Sequence, residues 1–414
     1  MLLVASVIAA GCGRDALPEA VASTVHSAPL KSDAEIRELD IAFYKERAER
    51  DPTGALDLAH LGALYLARGR ETGDPRDALL AEEVARRSIR NRHERNGAAS
   101  QILGTALLAQ HRFDEALPIA RAALASDPEN ASLRAALGDI YMELGQYDSA
   151  AVNFTGLKVA LGDPSVAPRR ARWAEINGDT ALARRLLHAA LVTVQKSPMV
   201  PREQLAWYWL RIGDVELRTG NPHAADSAYL AGLAVHPADY RLLAALAHSA
   251  AMQRAWPRAV AYGQRAIAVT LDPATLGILS DAYAALGDTA NSAEYARVLD
   301  VAVLQQPGSY HRAWSLFLLD RNRHVDKVSA KVRQELRTRQ DIYAYDLLGW
   351  SLHKQGRDAE ASVAMQRALS RGTLDAQLYY HAGMIARSAG RANEAEALLA
   401  RATAVNPYFR PSGT

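Results

Sequence analysis

A pattern of apolar and small residues recurs every 34 residues, most clearly between Tyr343 and Pro407. Its first copy has Tyr345, Leu348, Gly349, Leu352, Gly356, Ala361 and Ala368, and its second has Tyr379, Ala382, Gly383, Ala386, Gly390, Ala395 and Ala402. Spacings of three and four residues place the first members of each copy on one face of a helix. The glycine that follows accepts the left-handed backbone that ends a helix. Each copy is therefore predicted to be a pair of helices, and neither helix buries its apolar face without the other.

A 34-residue helix pair with an aromatic residue at position 4, small residues at positions 7 and 8, and alanine at positions 20 and 27 resembles the tetratricopeptide repeat family. The same pattern recurs between Gly97 and Pro164 and again between Trp209 and Gly287. The resemblance implies an all-α fold, a right-handed superhelical solenoid of about ten antiparallel helix pairs.

Composition is consistent with tightly packed helices. Of the 414 residues, 49% are hydrophobic but only 7% are aromatic, and most of the apolar residues are alanine and leucine. A formal net charge of +2 gives no support for nucleic-acid binding, which usually needs a concentrated basic face.

The single cysteine, Cys12, directly follows an apolar run at the N-terminus, Leu2 to Ala10. That run is too short to span a bilayer, where about 20 residues are needed. Residues 1–12 resemble the end of a bacterial lipoprotein signal peptide, with Cys12 as the residue that would receive the lipid. The resemblance implies a protein of the bacterial cell envelope, lipid-anchored to the periplasmic face of the outer membrane or to the outer face of the plasma membrane.

The rest of the chain divides by pattern. Residues 13–31 are rich in Ala, Ser and Pro and are predicted to be a flexible tether. An N-terminal repeat array with a capping helix is predicted over 32–196, a hinge over 197–202, a C-terminal array over 203–407 and a tail over 408–414. Arg169 and Arg172 stand where small or aromatic residues belong, so the repeat that contains them is degenerate. A six-residue stretch from Arg70 to Pro75 is predicted to be a long turn between two helices.

No motif indicates catalysis. The sequence has no His-Glu-x-x-His zinc motif, no Gly-x-Ser-x-Gly elbow and no phosphate-binding loop, and the repeats leave no room for a catalytic domain. We therefore expect a protein that is not an enzyme and has no catalytic residues, no metal site and no cofactor.

Binding is expected on the concave face. In the tetratricopeptide repeat family, positions 2, 5, 9, 12 and 13 of each first helix line that groove, and the C-terminal half of this chain has aromatic and charged residues there. The partner-binding residues that the resemblance implies are Trp207, Asp214, Arg218, Tyr343, Asp346, Trp350, His353, Lys354, Tyr380 and Arg387. Exposed Trp and Tyr beside Arg are typical of protein interfaces.

The sequence thus predicts a membrane-tethered scaffold that binds a peptide or helix of an envelope protein, and no nucleic acid. Two alternatives stay open. One is a homo-oligomeric, self-assembling array, because Tyr408 and Phe409 follow the last helix pair without a capping helix. The other is an accessory module of an envelope polysaccharide or secretion machine.

Overall fold

The computed structural model describes residues 32–197, 200–304 and 312–411, and these residues form 21 helices and no strand. Cys12 and the predicted tether lie outside the described residues. A first helix, α1 (Asp33–Arg50), precedes four helix pairs. The pairs are α2 (Ala55–Thr72) with α3 (Arg76–Asn91), α4 (Gly97–Ala109) with α5 (Phe113–Ser126), α6 (Ala131–Glu143) with α7 (Tyr147–Phe154), and α8 (Ala167–Ile176) with α9 (Thr180–Gln195).

Six further pairs follow. They are α10 (Arg202–Arg218) with α11 (Pro222–Val235), α12 (Tyr240–Met252) with α13 (Trp256–Ile267), α14 (Pro273–Ala285) with α15 (Thr289–Leu304), α16 (Arg312–Asp320) with α17 (Val325–Glu335), α18 (Ile342–Lys354) with α19 (Asp358–Ala368), and α20 (Ala376–Ser388) with α21 (Ala392–Val405). The predicted all-α solenoid of about ten helix pairs is confirmed.

The helices begin and pack as the pattern predicts. Asp239, Asp341 and Asp375 stand before α12, α18 and α20, and each carboxylate accepts hydrogen bonds from backbone N–H groups of the first turn. Within a pair, the small residue at position 8 lets the second helix approach closely. A Cβ on Gly138 would lie 2.7 Å from the Phe154 ring, and one on Gly349 would lie 2.8 Å from the Met365 sulfur. Only glycine fits this crossing without displacing the neighbouring side chain.

The first half of the stretch predicted as a long turn, Arg70 to Thr72, is helical. Helix α2 continues to Thr72, so the turn contains only Gly73, Asp74 and Pro75. The prediction was wrong because the repeat spacing shows only that residues are inserted. A longer first helix and a longer turn shift the following repeat by the same number of residues. The longer helix carries Arg70 past the point where the other first helices end.

A buried cluster crosses the predicted domain boundary. Leu186, Leu187 and Val194 of α9 pack with Tyr208 and Ile212 of α10. Side chains on both sides of the boundary therefore share one core. The hinge at 197–202 stays a prediction.

Residues far apart in sequence meet along a line that we call the seam. The Ile342 N–H donates to the Tyr147 hydroxyl at 2.9 Å, and Asn406 Nδ2 donates to the Leu217 carbonyl at 2.9 Å. Thr373 donates to the Ile176 carbonyl across 197 residues of sequence. The C-terminal repeats thus lie against the middle repeats, as successive turns of a tightly wound superhelix.

The C-terminus takes part in the seam. Asn406 is buried against the end of α10, and the Phe409 ring lies 5.7 Å from the Tyr380 ring. Phe409, which the sequence left without a capping helix, is partly buried against the last helix pair itself, where it packs with Ala376, Tyr379 and Ala402.

Candidate functional site

A cavity of about 780 Å³ lies inside the superhelix, where the two turns face each other. One wall is formed by α8 and α10, and the opposite wall by the N-terminal ends of α16, α18 and α20. We call this cavity the lumen. It is a product of the seam, because its two walls come from repeats that are far apart in sequence.

Arginine is the commonest residue of the lumen wall. Seven arginines contribute to it, from four helices and the loop before α18: Arg70, Arg169, Arg172, Arg211, Arg218, Arg312 and Arg339. Four acidic residues share the wall: Asp139, Glu175, Glu203 and Asp375. The side chains that line the lumen therefore carry an excess of positive charge.

Glu175 is the most buried of these carboxylates, with 4% of its side chain exposed. It accepts hydrogen bonds from Arg211 at 2.8 Å and from Arg218 at 2.7 Å. Charge-assisted pairs of this kind are stronger than neutral hydrogen bonds and fix the guanidinium planes. The pair of arginines is thus held in place by a carboxylate between them.

A second network fixes Arg172 and Arg339. Both pair with Glu143, which stands behind the lumen wall, and Arg339 also donates to Asp341 at 2.6 Å. Burial alone would lower the pKa of Arg172, but the carboxylates of Glu143 and Asp139 outweigh it and raise that pKa. Arg172 is therefore charged at any physiological pH.

Three aromatic residues, Trp207, Tyr208 and Tyr343, complete the lumen wall. Trp207 is partly buried and packs edge-to-face on Tyr208 at 5.1 Å. Tyr343 lies under the Arg312 guanidinium, 5.2 Å from its carbon. Burial raises the pKa of Tyr343 to about 12, so its hydroxyl keeps its proton at neutral pH.

Three of the ten predicted partner-binding residues line the lumen: Trp207, Arg218 and Tyr343. Asp214 stands next to them, where it accepts hydrogen bonds from Arg211 at 3.0 Å and from the Tyr229 hydroxyl at 3.1 Å. These four come from the two halves of the chain. The structure brings them together across the seam.

The expectation that Asp346 and Trp350 are exposed was wrong, because they are 0% and 3% exposed. Asp346 accepts from His381 and from Arg312, both at 2.6 Å, and Trp350 Nε1 donates to Asp320 at 2.8 Å. Neighbouring first helices approach closely enough here to bury positions 5 and 9 of the repeat, which in an open groove face solvent.

The remaining predicted residues surround this buried group. His353 is 5.1 Å from the Trp350 ring and pairs with Asp358 at 2.6 Å, and Lys354 Nζ lies 4.6 Å from the same ring. Tyr380 is partly buried beside Trp350, at 6.2 Å. Arg387 is exposed and lies with Leu399 in a shallow depression on the last helix pair. None of the four lines the lumen, and their binding of a partner stays a prediction.

The sequence prediction missed six of the seven lumen arginines, all but Arg218. Arg169 and Arg172 gave a signal, because they break the repeat pattern at positions where a packed helix pair needs small or aromatic residues. Charged residues at such positions are expensive unless they face a polar cavity. Arg70 and Arg339 gave no signal, since they reach the lumen only through the length of α2 and the seam.

Sequence profiles described as tetratricopeptide repeat match residues 107–152, 210–274 and 376–409. The chain is a tetratricopeptide repeat protein. Proteins with these repeats generally act as non-enzymatic scaffolds that bind other proteins. No curated protein matches the sequence.

This tetratricopeptide repeat protein is similar to several solved structures. The type IV pilus biogenesis factor PilW is 19% identical, with a TM-score of 0.42, over 53% of this chain and 97% of PilW. A chain of the anaphase-promoting complex hetero-tetramer Cut9–Hcn1 is 12% identical, with a TM-score of 0.35, over 92% and 93%. The human IFIT1 dimer with PPP-AAAA is 14% identical, with a TM-score of 0.45, over 90% and 95%.

Two further properties concern the described residues alone. None of their helices combines the length and apolar character that crossing a bilayer requires. Nor do three or more of their His, Cys, Asp and Glu side chains form a group suited to a metal ion.

Proposed function

We propose that this repeat protein is a non-enzymatic scaffold that holds a segment of a partner protein in the lumen. The observation that carries the proposal is the meeting of Trp207, Arg218 and Tyr343 around one cavity, with Tyr343 on the wall opposite the other two. Aromatic and arginine side chains dominate the binding energy of protein interfaces when they lie in a partly enclosed pocket. Here Arg218 is held by the buried Glu175, Trp207 packs on Tyr208 and Tyr343 lies under Arg312, so little conformational entropy is lost on binding.

The form of the segment follows from the volume. An α-helix about 10–12 Å across would fill 780 Å³ in less than two turns. A helix that short is marginal, because nucleating its first turn costs more than its few hydrogen bonds return, whereas an extended segment has no nucleation cost. We therefore favour an extended peptide over a helix as the occupant.

We also propose that a lipid on Cys12 tethers the protein to the bacterial envelope. The support is the position of the only cysteine, directly behind an apolar run that resembles a lipoprotein signal peptide. The expected result of changing Cys12→Ser in the full-length chain is release from the membrane fraction. Continued membrane association of that variant would exclude the lipid as the anchor.

The scaffold is tested by site-directed photocrosslinking in native membranes, with the full chain and Cys12 intact. A photoreactive residue replaces Trp207 or Tyr343 in the lumen, and the control position is Val152, which is 67% exposed on the second helix of its pair. The proposal expects one envelope protein to crosslink from both lumen positions and not from the control. A series of crosslinked oligomers of the protein itself, formed through Leu399 or Tyr408, would contradict the scaffold and support the self-assembling array instead.

A further inference from the structure

The end of α3 and the loop after it concentrate positive charge. Residues 86–95 contain one acidic residue, Glu94, and five arginines: Arg86, Arg87, Arg90, Arg92 and Arg95. The whole chain has a net charge of only +2, so the residues outside this stretch are acidic on balance. We call residues 86–95 the basic edge.

The basic edge lies on the side of the first superhelical turn that faces away from the seam. The turn between α2 and α3 meets the next turn of the superhelix, where His236 lies 3.3 Å from Glu71 and a Cβ on Gly73 would lie 3.0 Å from Thr270. Helix α3 runs back from that contact over 16 residues, which is about 24 Å. Its C-terminal end therefore lies at the opposite, outer edge of the superhelix.

Most of the guanidinium groups of the basic edge lack a carboxylate partner. Arg86 forms an ion pair at 2.8 Å within α3. By contrast, Arg90 and Arg95 have no hydrogen-bond or carboxylate partner among the described residues, and both are exposed. In the same part of the structure, Arg87 and Arg92 donate only to backbone carbonyls. The charge of these four arginines is therefore not neutralised by the protein.

The neighbouring segments set the limits of the basic edge. The end of α1 is in contact with it, since Asn91 Nδ2 donates to the Pro52 carbonyl at 2.8 Å. Residues 45–51 of that end have three basic and three acidic residues, so they add no net charge. The loop after α5 carries Asp127 and Glu129, and the basic edge ends before it.

Arg95 stands at a backbone position that favours glycine. Its φ is +52°, in the left-handed region that asparagine and glycine tolerate best. The residue also lies beyond the last turn of α3, where a cation does little for the helix dipole. Arginine at this position costs backbone energy without stabilising the helix, which favours a role for its side chain.

We propose that the basic edge binds the anionic head groups of a lipid surface and so orients the superhelix on a membrane. Exposed arginines spread along an outer edge suit a flat target of high negative charge, and each of them adds attraction to it. The inference rests on the proposed lipid tether, which brings the protein to the membrane. In any conformation, residues 13–31 reach at most about 65 Å, so a lipid on Cys12 would keep the superhelix near the surface.

A single-stranded nucleic acid fits the basic edge less well. Binding sites for such strands stack successive bases on aromatic side chains. Residues 86–95 include no Phe, Tyr or Trp. Nucleic-acid binding is therefore an outcome that would contradict the proposal.

The test is co-sedimentation of the purified full-length Cys12→Ser protein, which carries no lipid, with vesicles. One set contains equal parts of phosphatidylglycerol and phosphatidylcholine, and the other contains phosphatidylcholine alone. We expect at least tenfold tighter binding to the anionic vesicles, weakening as salt rises, and no competition by soluble glycerol phosphate at the same head-group concentration. Equal binding to both vesicles, competition by glycerol phosphate, or tighter binding of an oligothymidylate would overturn the proposal.

Two double variants, matched in charge, locate the contact. Arg90→Gln with Arg95→Asn removes two charges from the basic edge, and asparagine suits the left-handed backbone at position 95. The control is Arg185→Gln with Arg254→Asn, which removes an exposed arginine from α9 and an exposed arginine with φ +57° from the turn after α12.

One arginine near an anionic surface contributes about fivefold in affinity. We therefore expect the variant of the basic edge to bind anionic vesicles about tenfold more weakly or less, and the control variant to stay within twofold of the parent protein. Both should melt as the parent does, because all four side chains are exposed. Equal effects of the two variants would exclude the basic edge.

Fractionation of cells separates this inference from the lipid tether. The basic edge alone holds the protein reversibly, so Cys12→Ser is still expected to leave the membrane fraction while it binds anionic vesicles at low salt. Release of Cys12→Ser without vesicle binding keeps the tether and removes the basic edge. Vesicle binding that depends on Arg90 and Arg95, with Cys12→Ser retained in the membrane fraction, keeps the basic edge and removes the lipid.

Discussion

The indole of Trp350 lies parallel to the imidazole of His381, with ring centroids 4.1 Å apart and an interplanar angle of 12°. His381 in turn donates to the fully buried carboxylate of Asp346 at 2.6 Å. The stack joins α18 to α20, the first helices of the last two repeats. A residue that sequence alone assigns to a binding surface therefore belongs to the packing between repeats.

We expect Trp350→Ala to lower the free energy of unfolding by about 3–5 kcal/mol, because it removes a buried aromatic side chain and leaves a cavity. Trp207→Ala, at the partly buried lumen position, should cost clearly less. Urea unfolding monitored by circular dichroism measures both. An equal loss for the two variants would mean that Trp350 is not part of the core.

Glu175→Gln is expected to destabilise the protein by about 3–5 kcal/mol, because Arg211 and Arg218 would keep their charges without the buried carboxylate between them. The matched change is Glu360→Gln, whose exposed carboxylate pairs with Arg357 on the surface. That variant should cost less than about 1 kcal/mol. Thermal unfolding of the two variants distinguishes a buried network from a surface pair. A loss at position 175 as small as at position 360 would contradict the network.

Gly145 tests the seam. Its φ is +71°, and a Cβ there would overlap the backbone carbonyl of Gln340 in the opposite turn. Gly356 ends a first helix in the same way, with φ +74°, but a Cβ there would meet nothing within 4 Å.

We expect Gly356→Ala to cost about 1 kcal/mol of backbone strain, and Gly145→Ala to cost more and to open the seam. Hydrogen exchange of the Ile342 amide, which donates to Tyr147 across the seam, reports the opening. The seam is not closed in solution if that amide exchanges equally fast in the parent protein and in the Gly145 variant.

The ion pair between His236 and Glu71, 165 residues apart, should make the N-terminal contact of the superhelix depend on pH. The hydrogen bond to Glu71 raises the pKa of His236, with Asp239 adding to it, while burial and Arg241 oppose it. The hydrogen bonds from His236 and Arg37 lower the pKa of Glu71 to about 2, against burial.

The histidine contribution is complete below its unfolded pKa of about 6.5 and is lost as pH rises through the raised folded pKa. The glutamate contribution is present above about pH 4.5 and is lost as pH falls toward 2. The contact should therefore be strongest between about pH 4.5 and 6.5. Small-angle scattering across pH 5–9 should show expansion at the alkaline end, and His236→Gln should remove that dependence. An equal expansion in the variant would assign it to other groups.

Much of the solenoid was predictable from the sequence. The 34-residue period is visible in small residues such as Gly349 and Ala361. They are small because the two helices of one repeat cross there. Those contacts are local, so each repeat carries the information for its own helix pair. Acidic caps such as Asp341 and glycines such as Gly356 mark where the helices begin and end.

The candidate site was predictable only in part. Trp207, Arg218 and Tyr343 follow from the family's groove positions, and all three line the lumen. The same positions gave Asp346 and Trp350, which are buried. Arg169 and Arg172 depart from the repeat pattern, which marks them as unusual. The local sequence does not determine which cavity such a side chain faces, so it does not identify them as lumen residues.

The amino-acid sequence by itself determined the repeat, the number of helix pairs and the residues at their crossings, because these depend on contacts between neighbours in the chain. Only the tertiary structure decided that Tyr147 meets Ile342 and that Ile176 meets Thr373, closing the lumen. Each repeat is rotated slightly relative to the one before it. Those contacts depend on the total of these rotations over several repeats. A slight change in that rotation moves residues nearly 200 positions apart by many ångströms, and no local pattern encodes the sum.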